Sequence, residues 1–369
     1  MLKLKWNFNK ARGSIILPFI KEEKTCWEFL SETDLPVYIY GMGDGAVKIM
    51  SVMERYGIKI KGIFASDEFV RGHSFMGFKV LTLSQVEEIE DDFVVVLAFA
   101  AGYRELYDKI FSIAKKHIVL SPDVPVIDFN GEVFDFDYIK KNEEKLMEVY
   151  SMLYDEKSKQ VFSDIINYKI SGKIEYLDNC TTEKSEVYED IIKPSSDEVY
   201  VDLGAYRGDT VEEFLSFTDG KYKKIYALEP DGRNFKKLLL SVEGKENIFS
   251  INAAAWDKDT TLFFAAKAGR QSSVSKEGKE TNAKSVDSIL SGEGCSIIKM
   301  DVEGAEKEAI EGATLTIKNY KPKLMISLYH RNEDIFALPL QIKEMNKDYK
   351  FFLRHQLYIP AWETNLYCI

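Results

Sequence analysis

The sequence predicts an α/β protein with two parallel-rich, Rossmann-like units in tandem. Three observations carry this. Short uninterrupted apolar runs end in glycine turns and are followed by helix-period stretches. That grammar occurs at residues 37–128 and begins again at Val199. At 369 residues, two or three domains are expected, each able to bury a core.

In the first unit, Val37-Tyr38-Ile39-Tyr40 reads as a buried strand, and Gly41-Met42-Gly43-Asp44-Gly45-Ala46 as the turn after it. A helical period follows through Val47, Ile49, Met50 and Met53 and stops at Gly57. Ile58 to Phe64 is the next strand, and Phe93 to Phe99 is apolar enough only for a fully buried central one. Residues 135–170 change character: Ile139, Leu146, Val149, Leu153, Val161, Phe162, Ile165 and Ile166 recur at helical spacing, predicting one or two long linking helices. From Val199 strands are predicted at Val199–Leu203, Lys224–Leu228, Ile248–Ala253, Ser296–Met300, Leu324–Tyr329, Phe351–His355 and Asn365–Ile369. Helices are expected at Thr210–Ser216 and Ala305–Glu311. The division expected is a Rossmann-like domain at 1–134, a helical linker or lid at 135–198, and a second α/β domain at 199–369.

Composition excludes several classes. Aromatic residues make up 13% of the chain, too many for a disordered acidic polymer. Forty-nine basic against 60 acidic side chains disfavour nucleic acid or an anionic membrane as main partner. Residues 1–130 hold 16 basic and 18 acidic side chains, so most of the net charge of −11 lies beyond them. The longest apolar stretch, Phe93 to Ala101, is about half of a membrane span. Ser14 to Ile20, broken by Pro18, is a poor signal peptide. Cys26, Cys180, Cys295 and Cys368 form no C-x-x-C pair and read as reduced thiols. A cytoplasmic location is expected.

The most informative segment is Val201-Asp202-Leu203-Gly204-Ala205-Tyr206-Arg207-Gly208-Asp209-Thr210. A strand ends in an acid, turns through two glycines and enters a helix, a form that lets a ligand approach the backbone closely. The spacing is D-x-G-x-x-x-G, not the dinucleotide G-x-G-x-x-G. A carboxylate there repels a pyrophosphate but suits an ammonium and a sulfonium, which points to S-adenosylmethionine. Glu229, followed by Pro230 and Asp231, closes the next strand 27 residues after Asp202 and is placed to accept hydrogen bonds from ribose hydroxyls. Asn252-Ala253-Ala254 would let an adenine lie flat, and Lys299-Met300-Asp301-Val302-Glu303-Gly304-Ala305-Glu306 ends another strand in carboxylates.

With those motifs, residues from about 140 to the C-terminus resemble the FkbM-type S-adenosylmethionine-dependent methyltransferases. Ser285-Val286-Asp287-Ser288-Ile289, Leu328 to Asp334 and the lead-in Tyr154 to Ser158 with Val161-Phe162 add to the likeness. Lys-x-Asp-x-Glu-Gly-x-Glu is its most specific part. The resemblance implies a seven-stranded sheet whose last strand, Asn365–Ile369, runs antiparallel. It also implies methylation of a hydroxyl oxygen, often on sugars or glycans.

The expected cofactor residues are thus Asp202, Gly204, Ala205, Tyr206, Gly208, Asp209, Thr210, Glu229, Pro230, Asp231, Asn252, Ala253, Ala254 and Asp301. Positioning can supply about 7–11 kcal/mol of such a displacement, and a general base roughly 10²–10⁴-fold more. His330 is the first candidate base, with Asp301 and Glu303 as base or acceptor-orienting groups. The three could also gather a divalent ion, though no metal is predicted. Asp301 and Glu303 would serve equally as N-cap and first-turn acid of the following helix, and Glu306 reads as structural. Asp202→Ala and Glu229→Ala are expected to weaken cofactor binding with little loss of fold, and His330→Ala to lower turnover. Gly269 to Ser273 reads as a loop near the crevice mouth.

In the first unit, Gly41, Gly43 and Gly45 with Asp67, 26 residues after Gly41, outline a nucleotide site. Gly77 to Leu81 is similar to the N-terminal domain of sugar-modifying acyltransferases, which implies a nucleotide sugar. The readings are a degenerate scaffold, a nucleotide-sugar site or an NAD(P) site. A small-molecule or glycan acceptor is expected as partner, and a homodimer is left open. The competing functions are an NAD(P)-linked sugar oxidoreductase acting through residues 1–134 and a non-catalytic nucleotide or glycan sensor.

Overall fold

The computed structural model describes residues 17–70, 72, 74–127, 129–264, 274–275 and 279–369. The loop Gly269 to Ser273 and the start of the run Ser14 to Ile20 lie outside them.

Six strands form the first sheet: β1 (Val37–Tyr40), β2 (Gly62–Phe64), β3 (Ser74–Phe75), β4 (Phe78–Leu81), β5 (Val94–Leu97) and β6 (Ile118–Leu120). Their order is β3-β4-β2-β1-β5-β6, parallel throughout except for the β3–β4 hairpin. Val94, Val95, Val96 and Leu97 are all buried, as a strand covered on both faces requires. The helix Asp44–Arg55 turns Ala46, Ile49, Val52 and Met53 inward, a stripe at helical spacing. β2 is shorter than the run Ile58 to Phe64 suggested, because Ile58 is consumed in closing the preceding helix by donating to the Met53 carbonyl.

The segment after β6 forms three consecutive helices, Phe136–Lys141, Glu143–Met152 and Glu156–Ser171, rather than one or two. Asn142 ends the first and starts the second. Asp155 starts the third by accepting from the Ser158 amide, and it binds Arg354 at 2.7 Å. Neither break involves proline or glycine; side-chain capping and a distant arginine make the last one. Glu156–Ser171 is buried continuously from Val161 to Ser171. It lies within an apolar cluster that joins Tyr40 and Val95 of the first sheet to Ile298 and Leu353 of the second.

The second sheet contains β7 (Val199–Leu203), β8 (Lys224–Leu228), β9 (Ile248–Ile251), β14 (Ile297–Met300), β15 (Lys323–Ser327), β16 (Phe351–His355) and β17 (Thr364–Cys368). Its order is β16-β17-β15-β14-β7-β8-β9. β17 runs antiparallel between β15 and β16, so the final strand has the expected direction but an interior position. A small sheet of β10 (Ala254–Ala255), β11 (Thr260–Phe264), β12 (Val274–Ser275) and β13 (Lys279–Lys284) follows β9. Among the described residues no helix is long and apolar enough to cross a membrane.

Residues 126 and 127 bind the far half directly: both amides donate to the His330 carbonyl, at 3.1 and 3.4 Å. Ala101 and Ile359 exchange backbone hydrogen bonds as well. The end of the first unit is therefore fixed beside the strand ends that matter next.

Candidate functional site

Parallel pairing of β14, β7 and β8 in register sets their C-terminal ends side by side. The residues following or ending those strands are Asp301, Asp202 and Glu229. Ligands of open α/β sheets bind in this crevice.

Asp202 is fully buried. Its Oδ2 accepts from the Thr210 hydroxyl, and Oδ1 lies 3.3 Å from Lys299 Nζ in an ion pair without hydrogen-bond geometry. Burial raises its pKa, opposed by the Lys299 charge and the Thr210 hydrogen bond. Burial works against the Lys299 charge too, but Asp202 and Asp301 outweigh it and hold the ammonium well above its ordinary value. Lys299 also donates to the Gly204 carbonyl at 3.2 Å. The countercharge for Asp202 is thus a buried lysine of the chain itself. Asp202→Ala would leave that buried lysine with Asp301 alone as countercharge, so a cost to the fold is expected beside the loss of cofactor binding.

Gly204 and Gly208 adopt φ of +84° and +96°. A Cβ on Gly204 would strike the Asp301 carbonyl oxygen, and one on Gly208 the Ser241 hydroxyl. Both glycines are therefore required by the packing of neighbouring turns, before any ligand is considered. Ala205 is buried, Tyr206 is half-buried with φ +49°, and Arg207 stacks over its ring at 4.7 Å. Gly208 precedes the helix Asp209–Phe217 without a side-chain cap. Asp209, exposed in the first turn, accepts weakly from the Arg207 amide at 3.4 Å.

Glu229 is 6% exposed and its Oε1 accepts from the Asp231 amide at 2.8 Å. Burial pushes its carboxyl up to about 7 despite that hydrogen bond. Asp231, not Glu229, caps the next helix, accepting from the Arg233 and Asn234 amides at 2.9 and 3.0 Å. Exposed Asn252 donates to the carbonyls of Glu229 and Pro230, tying the β9 loop to the β8 turn. Ala253 and Ala254 are buried, the latter in the small sheet.

His330 is 1% exposed and sits among carboxylates. Nε2 lies 3.6 Å from Asp301 Oδ1 and 3.5 Å from Glu303 Oε2, and Nδ1 lies 3.1 Å from Glu306 Oε1. Burial opposes a charge on the ring, but Glu306, Glu303 and Asp301 prevail and raise its pKa well above the usual value. The carboxylates around it therefore favour the protonated ring, and a general-base role for His330 would require that proton to leave first. Asp301 takes the Tyr329 hydroxyl on both oxygens, at 3.0 and 3.1 Å. Burial would raise its pKa, but Lys299, His330 and Tyr329 lower it. Glu303 is not in the following helix; it holds a left-handed φ of +53° at a half-exposed rim. The helix is Glu306–Glu311, begun at Ala305 without a side-chain cap. Glu306 is fully buried, and Oε1 accepts the Val302 amide at 2.9 Å.

Sequence reasoning missed Lys299, Tyr329 and the central position of Glu306. Lys299 alternates with Ile298 and Met300 on a strand, and a lysine facing a buried sheet surface was a legible warning of an acidic partner. Tyr329 and Glu306 carried no such mark.

The first unit's glycine turn is built otherwise. A Cβ on Gly41 would meet the Phe99 ring, and one on Gly45 the Ala98 carbonyl. The strand ends there are Tyr40, Phe64 and Leu97, and Asp67 is exposed in a short 3-10 turn.

Residues 202–360 match the profile of the Methyltransferase FkbM domain. A solved FkbM methyltransferase from Methylobacillus flagellatus KT superposes with a TM-score of 0.72 at 21% identity, covering 96% of each chain. Fibrillarin from Aeropyrum pernix with natively bound S-adenosyl-L-methionine covers 50% of this chain and 71% of its own, at 12% identity and a TM-score of 0.34. A putative methyltransferase from Streptococcus mutans in complex with SAH covers 51% of this chain and 97% of its own, at 14% identity and a TM-score of 0.34. No curated protein matches the chain.

Proposed function

Because residues 202–360 belong to the FkbM methyltransferase family, we propose that this chain transfers the methyl group of S-adenosylmethionine to a hydroxyl oxygen of a sugar or glycoconjugate. The observation that carries the reading is Glu229: a buried carboxyl at the end of β8, raised to about 7, one oxygen of which already holds the Asp231 amide. Ribose hydroxyls would supply the donors that let it ionise. The cofactor, when bound, supplies an electrophilic methyl on sulfur.

The chain's own residues orient and enclose. The Gly204–Gly208 turn brings backbone close to the ligand, and Tyr206 and Asp231 border it. Asp202 and Lys299, locked together, hold that turn against β14. Ala253 and Ala254 back the loop on the adenine side. On the acceptor side, Asp301 and Glu303 are the carboxylates that can accept a hydrogen bond from an incoming hydroxyl. Glu303, at the half-exposed rim, is the better placed to take its proton, and alignment of the reacting atoms does most of the work. The packing of Phe99 and Ala98 against Gly41 and Gly45 favours the scaffold reading of the first unit over an NAD(P) site.

Isothermal titration with S-adenosylhomocysteine tests the cofactor half. One site per chain is expected, weakened at least tenfold in Glu229→Ala; equal affinity in the variant would refute the assignment. A panel of reducing sugars, glycosides and phenols with labelled cofactor tests the acceptor class, and labelling of phenols alone would remove the sugar.

A further inference from the structure

Among the described residues, one group of His, Cys, Asp and Glu side chains could close on an ion: ligand atoms of Asp301, Glu306 and His330 all lie within 4.8 Å of one another. One ring nitrogen and one oxygen from each carboxylate are thus close enough to turn toward a common ion, with Glu306 Oε1 already 3.1 Å from Nδ1. Acidic clusters are common, but this one has a second feature. Neither nitrogen of His330 has a hydrogen-bond partner, and Glu306 Oε2 has none, although both side chains are 1% exposed. Buried polar atoms without partners are costly and call for an unseen ligand.

We propose that Asp301, Glu306 and His330 form a binding site for a divalent first-row transition ion such as Mn²⁺, with Glu303 at its open side. Two carboxylates and one imidazole suit Mn²⁺ or Zn²⁺ better than Mg²⁺, which favours all-oxygen surroundings. The outer ligand contacts are already made. Tyr329 fixes Asp301 through its hydroxyl, and the Val302 amide fixes Glu306. The Val126 and Ile127 amides hold the His330 backbone from the first unit. Counting Glu303, three carboxylates surround one imidazole, an excess of negative charge that favours a dication, which would displace the ring proton as it binds. Asp301 and Glu303 reach solvent, so the remaining coordination positions open toward the crevice, where a hydroxyl or vicinal diol of the acceptor could bind. That last step rests on the methyl-transfer reading; the site itself does not.

The test uses the full chain freed of metal by chelator, without cofactor or acceptor. Mn²⁺ and Zn²⁺ are titrated separately by calorimetry, with Mn²⁺ also followed by the loss of its free-ion paramagnetic resonance signal. One ion per chain is expected, with affinity reduced roughly 10–100-fold in Asp301→Asn and in Glu306→Gln. Circular dichroism checks the fold, and if the buried Glu306 variant does not fold, the half-exposed Asp301 variant decides. Folded wild-type protein that takes up neither ion at millimolar concentration would overturn the site. So would uptake unchanged in Asp301→Asn. Neither result touches S-adenosylhomocysteine binding, so the two readings fail separately.

Discussion

The two sheets use the same local device to opposite ends. In each, a buried strand runs into a glycine turn and then a helix. At the first, the glycines make room for an aromatic ring and a carbonyl, and the neighbouring strands end in Phe64 and Leu97. At the second, adjacent strands end in Asp202, Glu229 and Asp301, and a buried lysine lies among them. The turn makes space in both cases; only charged strand ends make that space a site.

The strongest way to break this comparison is at the buried pair. Asp202→Asn leaves Lys299 with only Asp301 as countercharge and is expected to cost about 3–5 kcal/mol in urea denaturation. A loss below about 1 kcal/mol would mean the pair is not sealed from water. Gly204→Ala should follow at about 3 kcal/mol, from the positive φ and the collision with the Asp301 carbonyl. Gly43→Ala in the first turn, with open space at its Cβ and a φ of −112°, should stay within about 1 kcal/mol.

Glu229 sharpens the contrast between stability and binding. Its folded pKa lies above the ordinary value of 4.5, so its stabilising contribution is complete below pH 4.5 and lost as pH rises through about 7. The shift corresponds to at most about 3 kcal/mol. Glu229→Gln should therefore raise the ligand-free melting midpoint at pH 8 relative to wild type and lose that advantage at pH 4.5, while weakening S-adenosylhomocysteine. A variant no more stable than wild type at pH 8 would show that the carboxyl is solvated. The smallest effect is expected at exposed Asp67: Asp67→Ala should change neither stability by more than about 0.5 kcal/mol nor S-adenosylhomocysteine affinity.

Much of this was legible because buried parallel strands are nearly continuous apolar runs, and β7, β8 and β16 match the sequence reading residue for residue. The three-helix segment was not, because its last break depends on Arg354, 199 residues away from Asp155. The acids at strand ends could be listed from the sequence, but not their partners. Asp301, Glu303 and Glu306 share one short stretch and read as helix-start residues; only the β15 turn, carrying Tyr329 and His330 back beside them, makes them a cluster.

The sequence by itself determined which strands are buried, where their ends carry charge, and the match of residues 202–360 to the FkbM methyltransferase domain profile, since periodicity, strand-end chemistry and motif spacing are local properties. Tertiary structure alone decided that Asp202 is neutralised by Lys299, that three carboxylates surround His330 and favour its protonated ring, and that Glu306 lies against it. Those are properties of distance and dielectric between residues from different strands, and electrostatic energy depends on both.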